Sequence, residues 1–168
     1  MKVVNNLENI KINLFKKINI FYLMIIIIIF SLDRISKIKV INELNEKTYF
    51  INDFLNIDLI WNTGIGFGLF STDTDIIYFL INFLIAAIVL VLIYFLIQSQ
   101  YIDKLVYSML IGGALGNLYD RLSYKAVPDF LDLHYSNFHW FTFNVADIFI
   151  TTGILIFILK SFFERKVK

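Results

Sequence analysis

Four long apolar stretches, at about 18–38, 76–97, 104–119 and 145–163, constrain this chain more than any other feature. A helix needs roughly 20 such residues to cross the ~30 Å hydrocarbon of a bilayer, where its backbone must bond to itself. The third stretch falls short without its polar flanks. Hydrophobic residues make up 58% of the 168 and mean hydropathy is +0.72, against roughly 45–50% apolar in a soluble domain. The excess belongs in lipid. The expected fold is an all-α membrane protein: one integral membrane domain over 1–168, with four transmembrane helices.

A net charge of +1 lacks the basic footprint that phosphate binding needs, so no nucleic-acid partner is expected. With no cysteine, a thiol nucleophile, a disulfide framework and a thiolate metal site are excluded. Ile18–Leu32 is an apolar run preceded by Lys11, Lys16 and Lys17, the outline of a cleavable signal peptide. Such a peptide ends in small residues, whereas this run continues through Asp33 and Arg34 into Ile35–Ile38. It is expected to stay as a helix.

Basic residues set the orientation. Lys2, Lys11, Lys16 and Lys17 precede the first span, and Lys160, Arg165, Lys166 and Lys168 close the last. Four spans put both ends on one side, and the positive-inside tendency makes that side cytoplasmic. Lys39–Asp75 and Asp120–Asn144 then lie outside. In the first of these, Ile57, Leu59 and Trp61 alternate with polar residues over Asn56–Asn62, which reads as a small β-containing segment on the membrane surface between helices one and two. Gly64, Gly66 and Gly68 form a flexible turn into span two.

Ionisable and amide groups beside hydrocarbon are costly, and each is a functional-site hypothesis. Asp33 and Lys37 share a helical face at the outer end of span one, either as a local anchoring pair or as support for a site. Gly113, Asn117 and Arg121 recur every four residues in span three, with Asp120 beside them; Gly112 and Gly116 form the small-x-x-x-small pattern of close helix packing. Span four opens on Asn144 and Asp147, with Thr151 on the same face. Asp147 has no evident structural reason. Asp129 lies between spans three and four in Val127-Pro128-Asp129-Phe130, where Pro128 also fixes a turn. All these clusters face outward. Two aspartates at a hydrophobic boundary suggest acid–base chemistry, because low dielectric and mutual repulsion keep one protonated. His134 and His139 do not have zinc-peptidase spacing and read as exposed loop residues. Asp53 and Asp132, outside any motif, read as dispensable carboxylates. No metal or other cofactor is expected.

Asn62–Gly68, Gly112–Arg121, Val127–Phe130 and Phe143–Asp147, with the Asp33/Lys37 pair, resemble in order and spacing the prolipoprotein signal peptidase (signal peptidase II) family. Gly66 stands where the family usually has Ala, and Phe141 where Pro is common. The resemblance covers nearly the whole chain from span one to span four. It implies an intramembrane aspartic endopeptidase of the bacterial cytoplasmic (inner) membrane. Such an enzyme removes the signal peptide from diacylglyceryl-modified prolipoproteins just before the lipidated Cys, and is inhibited by globomycin-type cyclic peptides. Asp129 and Asp147 would be the catalytic pair. Asn62, Gly64, Gly113, Asn117, Asp120, Arg121 and Asn144 would form or support the site, with Asp33 and Lys37 behind them. Membrane lipid would be the other partner. The alternative is a small proton- or ion-coupled transporter, which would favour repeats and interrupted helices near the midplane.

Overall fold

A computed structural model of the chain describes residues 17–44, 47–64 and 75–166. Helix α1 covers Lys17–Glu43, α2 Asp75–Gln98, α3 Tyr101–Tyr124 and α4 Val145–Lys166. Strands β1 (Tyr49–Asn52) and β2 (Leu55–Asn62) lie between α1 and α2, and β3 (Val127–Tyr135) and β4 (Phe138–Phe143) between α3 and α4. The protein is mostly helical, with one small antiparallel sheet in the order β1-β2-β3-β4.

Each apolar stretch of the sequence is a helix. Three are long and apolar enough to cross a membrane: Lys17–Glu43, Tyr78–Gln98 and Val145–Glu164. Helix α3 has 24 residues, or about 36 Å at ~1.5 Å per residue, but Asp103, Lys104, Asn117, Asp120 and Arg121 dilute its hydropathy. Its place explains this. Helix α3 packs against α1, α2 and α4, so it meets protein where its neighbours turn outward. Phe79, Phe83 and Leu90 of α2, by contrast, are each at least 65% exposed, an apolar surface suited to lipid.

Glycines set how closely the helices approach α3. A Cβ on Gly112 would stand 2.9 Å from Ile29, and one on Gly116 2.5 Å from the Asp33 carboxylate. On the adjoining face, a Cβ on Gly113 would stand 2.6 Å from the Ala146 carbonyl oxygen. The small-residue stripe therefore seats α1, and Gly113 seats α4. One apolar cluster, Tyr22, Ile26, Val89, Leu96 and Ile111, joins α1, α2 and α3. A second, Val40, Leu44 and Phe130, fastens the sheet to the end of α1.

The strand expected at Asn56–Asn62 is β2, paired with β1. The second outer segment, read from sequence as loop, is corrected to the hairpin β3–β4. Pro128 is not at a turn: it lies in β3 opposite Trp61. It is tolerated there because β4 begins to pair only at Leu131↔Phe143, so one side of Pro128 has no strand to bond. Alternation gave no warning, since Val127–Phe130 are all buried and Phe138–Phe141 all exposed. His134 and His139, expected on an exposed loop, depart from that expectation in part, since His139 is exposed. Both lie on strands with rings stacked at 5.4 Å, and His134 is buried. Asp132 beside them is buried and 2.7 Å from His139 Nδ1. Gly66, Gly68 and the basic residues at 2, 11, 16 and 168 lie outside the described residues.

Gly116→Ala tests the helix spacing. Its methyl would press on a buried carboxylate held by two partners, so the unfolding midpoint should fall by the equivalent of about 1–3 kcal/mol. Gly153→Ala should change stability far less, because its nearest neighbour at 3.1 Å is the flexible end of Leu110. Thermal denaturation of both variants in detergent checks the contrast.

Candidate active site

Asp129 is the third residue of β3, opposite Ile60 and next to a β-bulge in β2 between Ile57 and Ile60. Such bulges re-aim side chains, and this one is where β3 passes the end of the helices. Asp147 is the third residue of α4. The structure supplies the reason for it that the sequence reading lacked. Asn144 Oδ1 accepts from the Asp147 N–H at 3.1 Å, and Asp147 Oδ2 accepts from the Asn144 N–H at 3.2 Å. This is a reciprocal capping box, built from Asn and Asp instead of Ser and Glu.

Three asparagine amides aim at the two carboxylates. Asn62 Nδ2 donates to Asp129 Oδ2 at 2.8 Å, and Asn144 Nδ2 to Asp129 Oδ1 at 2.6 Å. Asn117 Nδ2 donates to Asp147 Oδ1 at 2.8 Å. Each amide is held in that orientation from its oxygen end. Asn62 Oδ1 accepts from the Gly64 N–H at 2.9 Å, Asn117 Oδ1 from Lys37 Nζ at 2.8 Å, and Asn144 Oδ1 from Asp147. A flipped amide would put its oxygen against a carboxylate and its nitrogen against a donor, so the three orientations enforce one another. Asn144 touches both aspartates, which brings Asp129 and Asp147 to one place.

Behind Asn117 lies a buried ionic network. Lys37 Nζ is 2.7 Å from Asp33 Oδ2 and 2.7 Å from Asp120 Oδ2, with all three side chains fully buried. Asp33 Oδ1 also accepts from the Ala146 N–H at 2.9 Å, so it binds the first turn of α4 directly. Asp33 and Lys37 are thus interhelical supports rather than a local interfacial pair. Asp120 turns away from the aspartates toward Lys37 and Arg34. Arg34 was missed in the sequence; it pairs with Asp120 and lies over the Tyr119 ring at 4.5 Å. A charge count could have found it, since Asp33 and Asp120 need two cations.

Arg121 is close to this centre, but its guanidinium donates to the backbone carbonyls of Gly64 at 2.9 Å and Asn117 at 3.3 Å. It ties the Asn62–Gly64 turn to α3 instead of gripping a carboxylate. Its own carbonyl accepts from the Tyr78 hydroxyl at 2.6 Å and from the Lys125 N–H at 3.0 Å. Lys125 adopts the left-handed conformation (φ 58°) that ends α3 and turns the chain into β3. Gly113 contributes by its lack of a side chain against Ala146. Thr151, grouped with Asp147 by spacing, is exposed.

Asp129 is 3% exposed. Burial pushes its carboxyl up from 3.8 to about 6; the Asn62 amide opposes this rise and the nearby Asp147 charge adds to it. A carboxyl in that range can hold or release a proton near neutrality, and paired carboxyls of this kind exchange protons with substrates.

Residues 25–163 match the family described as Signal peptidase (SPase) II. Over 158 residues the chain is 46% identical to the lipoprotein signal peptidase of Pelagibacter ubique, covering 89% of this chain and 95% of that one. The lipoprotein signal peptidase of Anaplasma phagocytophilum is 37% identical over 144 residues, 82% and 89% of the two chains. A bacterial membrane enzyme solved by the in meso method at 2.3 Å superposes with a TM-score of 0.76 at 26% identity, covering 88% of this chain and 91% of that one.

The raised Asp129 carboxyl has a measurable consequence. Its bound proton stabilises the fold fully below about pH 3.8, and this contribution is lost as pH rises through about 6. The change is on the order of 3 kcal/mol at ~1.36 kcal/mol per unit. Asp129→Asn cannot ionise and lacks that loss. Its unfolding midpoint relative to wild type should therefore rise between about pH 4 and about pH 7.5. A difference independent of pH would mean that Asp129 titrates as an ordinary carboxyl.

Proposed function

The chain belongs to the signal peptidase II family, and on that premise we propose that it is an intramembrane aspartic endopeptidase. It removes the signal peptide from diacylglyceryl-modified prolipoproteins, cutting before the lipidated Cys. The observation that carries the aspartic reading is Asn144, whose amide and backbone N–H bond to both Asp129 and Asp147. One carboxylate takes a proton from a water held between the pair as that water attacks the scissile carbonyl. The other carboxyl gives its proton to the amide nitrogen as the C–N bond breaks. No covalent enzyme intermediate forms. The three asparagines keep the carboxyls in fixed geometry, where small displacements are costly to rate.

All four helices span the cytoplasmic membrane in this reading, α3 packed against the other three. Both termini are cytoplasmic, and the sheet and the aspartates lie at the outer face. A substrate held in the bilayer by its diacylglyceryl group reaches such a site sideways. Globomycin-type cyclic peptides would compete for it.

Asp129→Asn and Asp147→Asn should each abolish release of the signal fragment from a lipidated prolipopeptide at equal amounts of inserted protein. The double variant should be little worse than either single one, as for groups that act as a unit. Asp53→Asn, on an exposed turn, is the control and should cleave normally. Ordinary turnover by either active-site variant would end the aspartic reading.

Topology is tested separately. With no native cysteine, single cysteines at Asn52 and Tyr135 should react with an impermeant reagent in intact cells, and one at Lys168 should not. The reverse pattern would invert the orientation.

A further inference from the structure

The two aspartates are chemically identical, but their surroundings are not. Asp147 sits in the first turn of α4, where the positive end of the helix dipole favours a negative charge. Asp129 sits on a strand, which has no comparable dipole, and its bonds come from the neutral amides of Asn62 and Asn144. Asp147 has a further link. Asn117 donates to it, and the oxygen of that same amide is held by the Lys37 ammonium. Polarisation along such a chain strengthens each bond.

The local charges limit how many protons the pair holds. Near Asp147 are Asp33 and Lys37 on α1, Arg121 on α3 and Asp129 on β3, and Arg34 and Asp120 complete the network behind Lys37. Lys37 and Arg34 neutralise Asp33 and Asp120, and Arg121 is bonded to carbonyl oxygens. One positive charge is left over. It balances one ionised aspartate, not two, so the other favours its proton.

We propose that Lys37 is a positioning residue that divides the labour of the pair: through Asn117 it keeps Asp147 as the carboxylate that takes the water's proton, leaving Asp129 to deliver the proton to the leaving amine. This rests on the aspartic peptidase reading above. In the forward step the O–H bond of water breaks, its proton passes to Asp147, and the C–O bond forms. Asp129 then protonates the amide nitrogen as the C–N bond breaks. Proton transfer from Asp147 to Asp129 resets the pair.

The test is the pH profile of kcat/KM for the full-length protein on a lipidated prolipopeptide, in wild type and two variants. Asn117→Ala breaks the link and leaves the ionic network intact. Lys37→Gln combined with Asp120→Asn removes one cation and one anion together, so no net charge is stranded. In both, the acid limb should move upward by about one pH unit while the alkaline limb stays in place, since losing either the Asn117 hydrogen bond or the ammonium behind it raises the pH at which the base ionises. A shift of the alkaline limb instead, or of neither limb, overturns the assignment. Should the variants be inactive or unstable, infrared spectra of the single aspartate variants at about pH 5 decide the matter. The protonated-carboxyl band should vanish in Asp129→Asn and persist in Asp147→Asn; the opposite pattern overturns the proposal. Failure of the wild type to cleave would instead undo the peptidase reading, and the infrared result would still report which aspartate holds the proton.

Discussion

A fully buried ammonium constrains everything around it. Lys37 has left water entirely, and a stranded charge in a low-dielectric interior costs several kcal/mol or more. It is tolerated because Asp33, Asp120 and the Asn117 amide oxygen all lie within 2.8 Å of it. Those partners come from two helices, so α1 and α3 must approach closely and in one register. Gly112 and Gly116 permit that approach. Asp33 then reaches past α3 to the Ala146 N–H and fixes the start of α4. One interaction thus sets the spacing of three helices and the position of Asp147.

The site joins two kinds of scaffold at that point. Asp147 is fixed by the geometry of a helix N-terminus, and Asp129 by a strand whose Phe130 packs against Val40 of α1 and Leu44 just after it. Neither element alone holds both carboxyls. Asparagine is the connecting residue type because its amide donates at one end and accepts at the other, so one side chain both bonds an aspartate and is locked by a neighbour. Fully satisfied polar networks of this kind rigidify a site, and in a mostly apolar surround they define a single arrangement.

The placement also suits chemistry at a membrane boundary. In the proposed reading, hydrolysis needs water and signal-peptide segments are apolar, so the reacting carboxyls would have to be reachable from both phases. Asp129 is buried and Asp147 partly buried at one end of the apolar helices, beside a sheet that exposes Phe50, Phe138 and Trp140, an arrangement that would meet both needs. Trp and other aromatic side chains favour this interfacial depth.

The helices are legible in the sequence, because long apolar runs, three of them of membrane length, bond their backbone within the segment as helices. The sequence also marked Asp33, Lys37, Asn117, Asp129, Asn144 and Asp147, since polar groups at the ends of such runs stand out against a uniform background. The Asn144–Asp147 capping box is legible too, as a spacing of three. Tertiary structure decided the rest. Strands β3 and β4 lack the apolar-in, polar-out alternation that marks a strand, because β3 is covered on both faces near Asp129 and buries Asp132 and His134, and β4 is exposed along most of its length. Arg34 looked like one charge among several until its partner on α3, 86 positions away, was placed beside it. Arg121 shared a helical face with Asn117, yet which acceptors its guanidinium found depended on where the Gly64 turn lay. Periodicity reports the face a residue occupies on its own element; what stands opposite is fixed only when distant segments pack together.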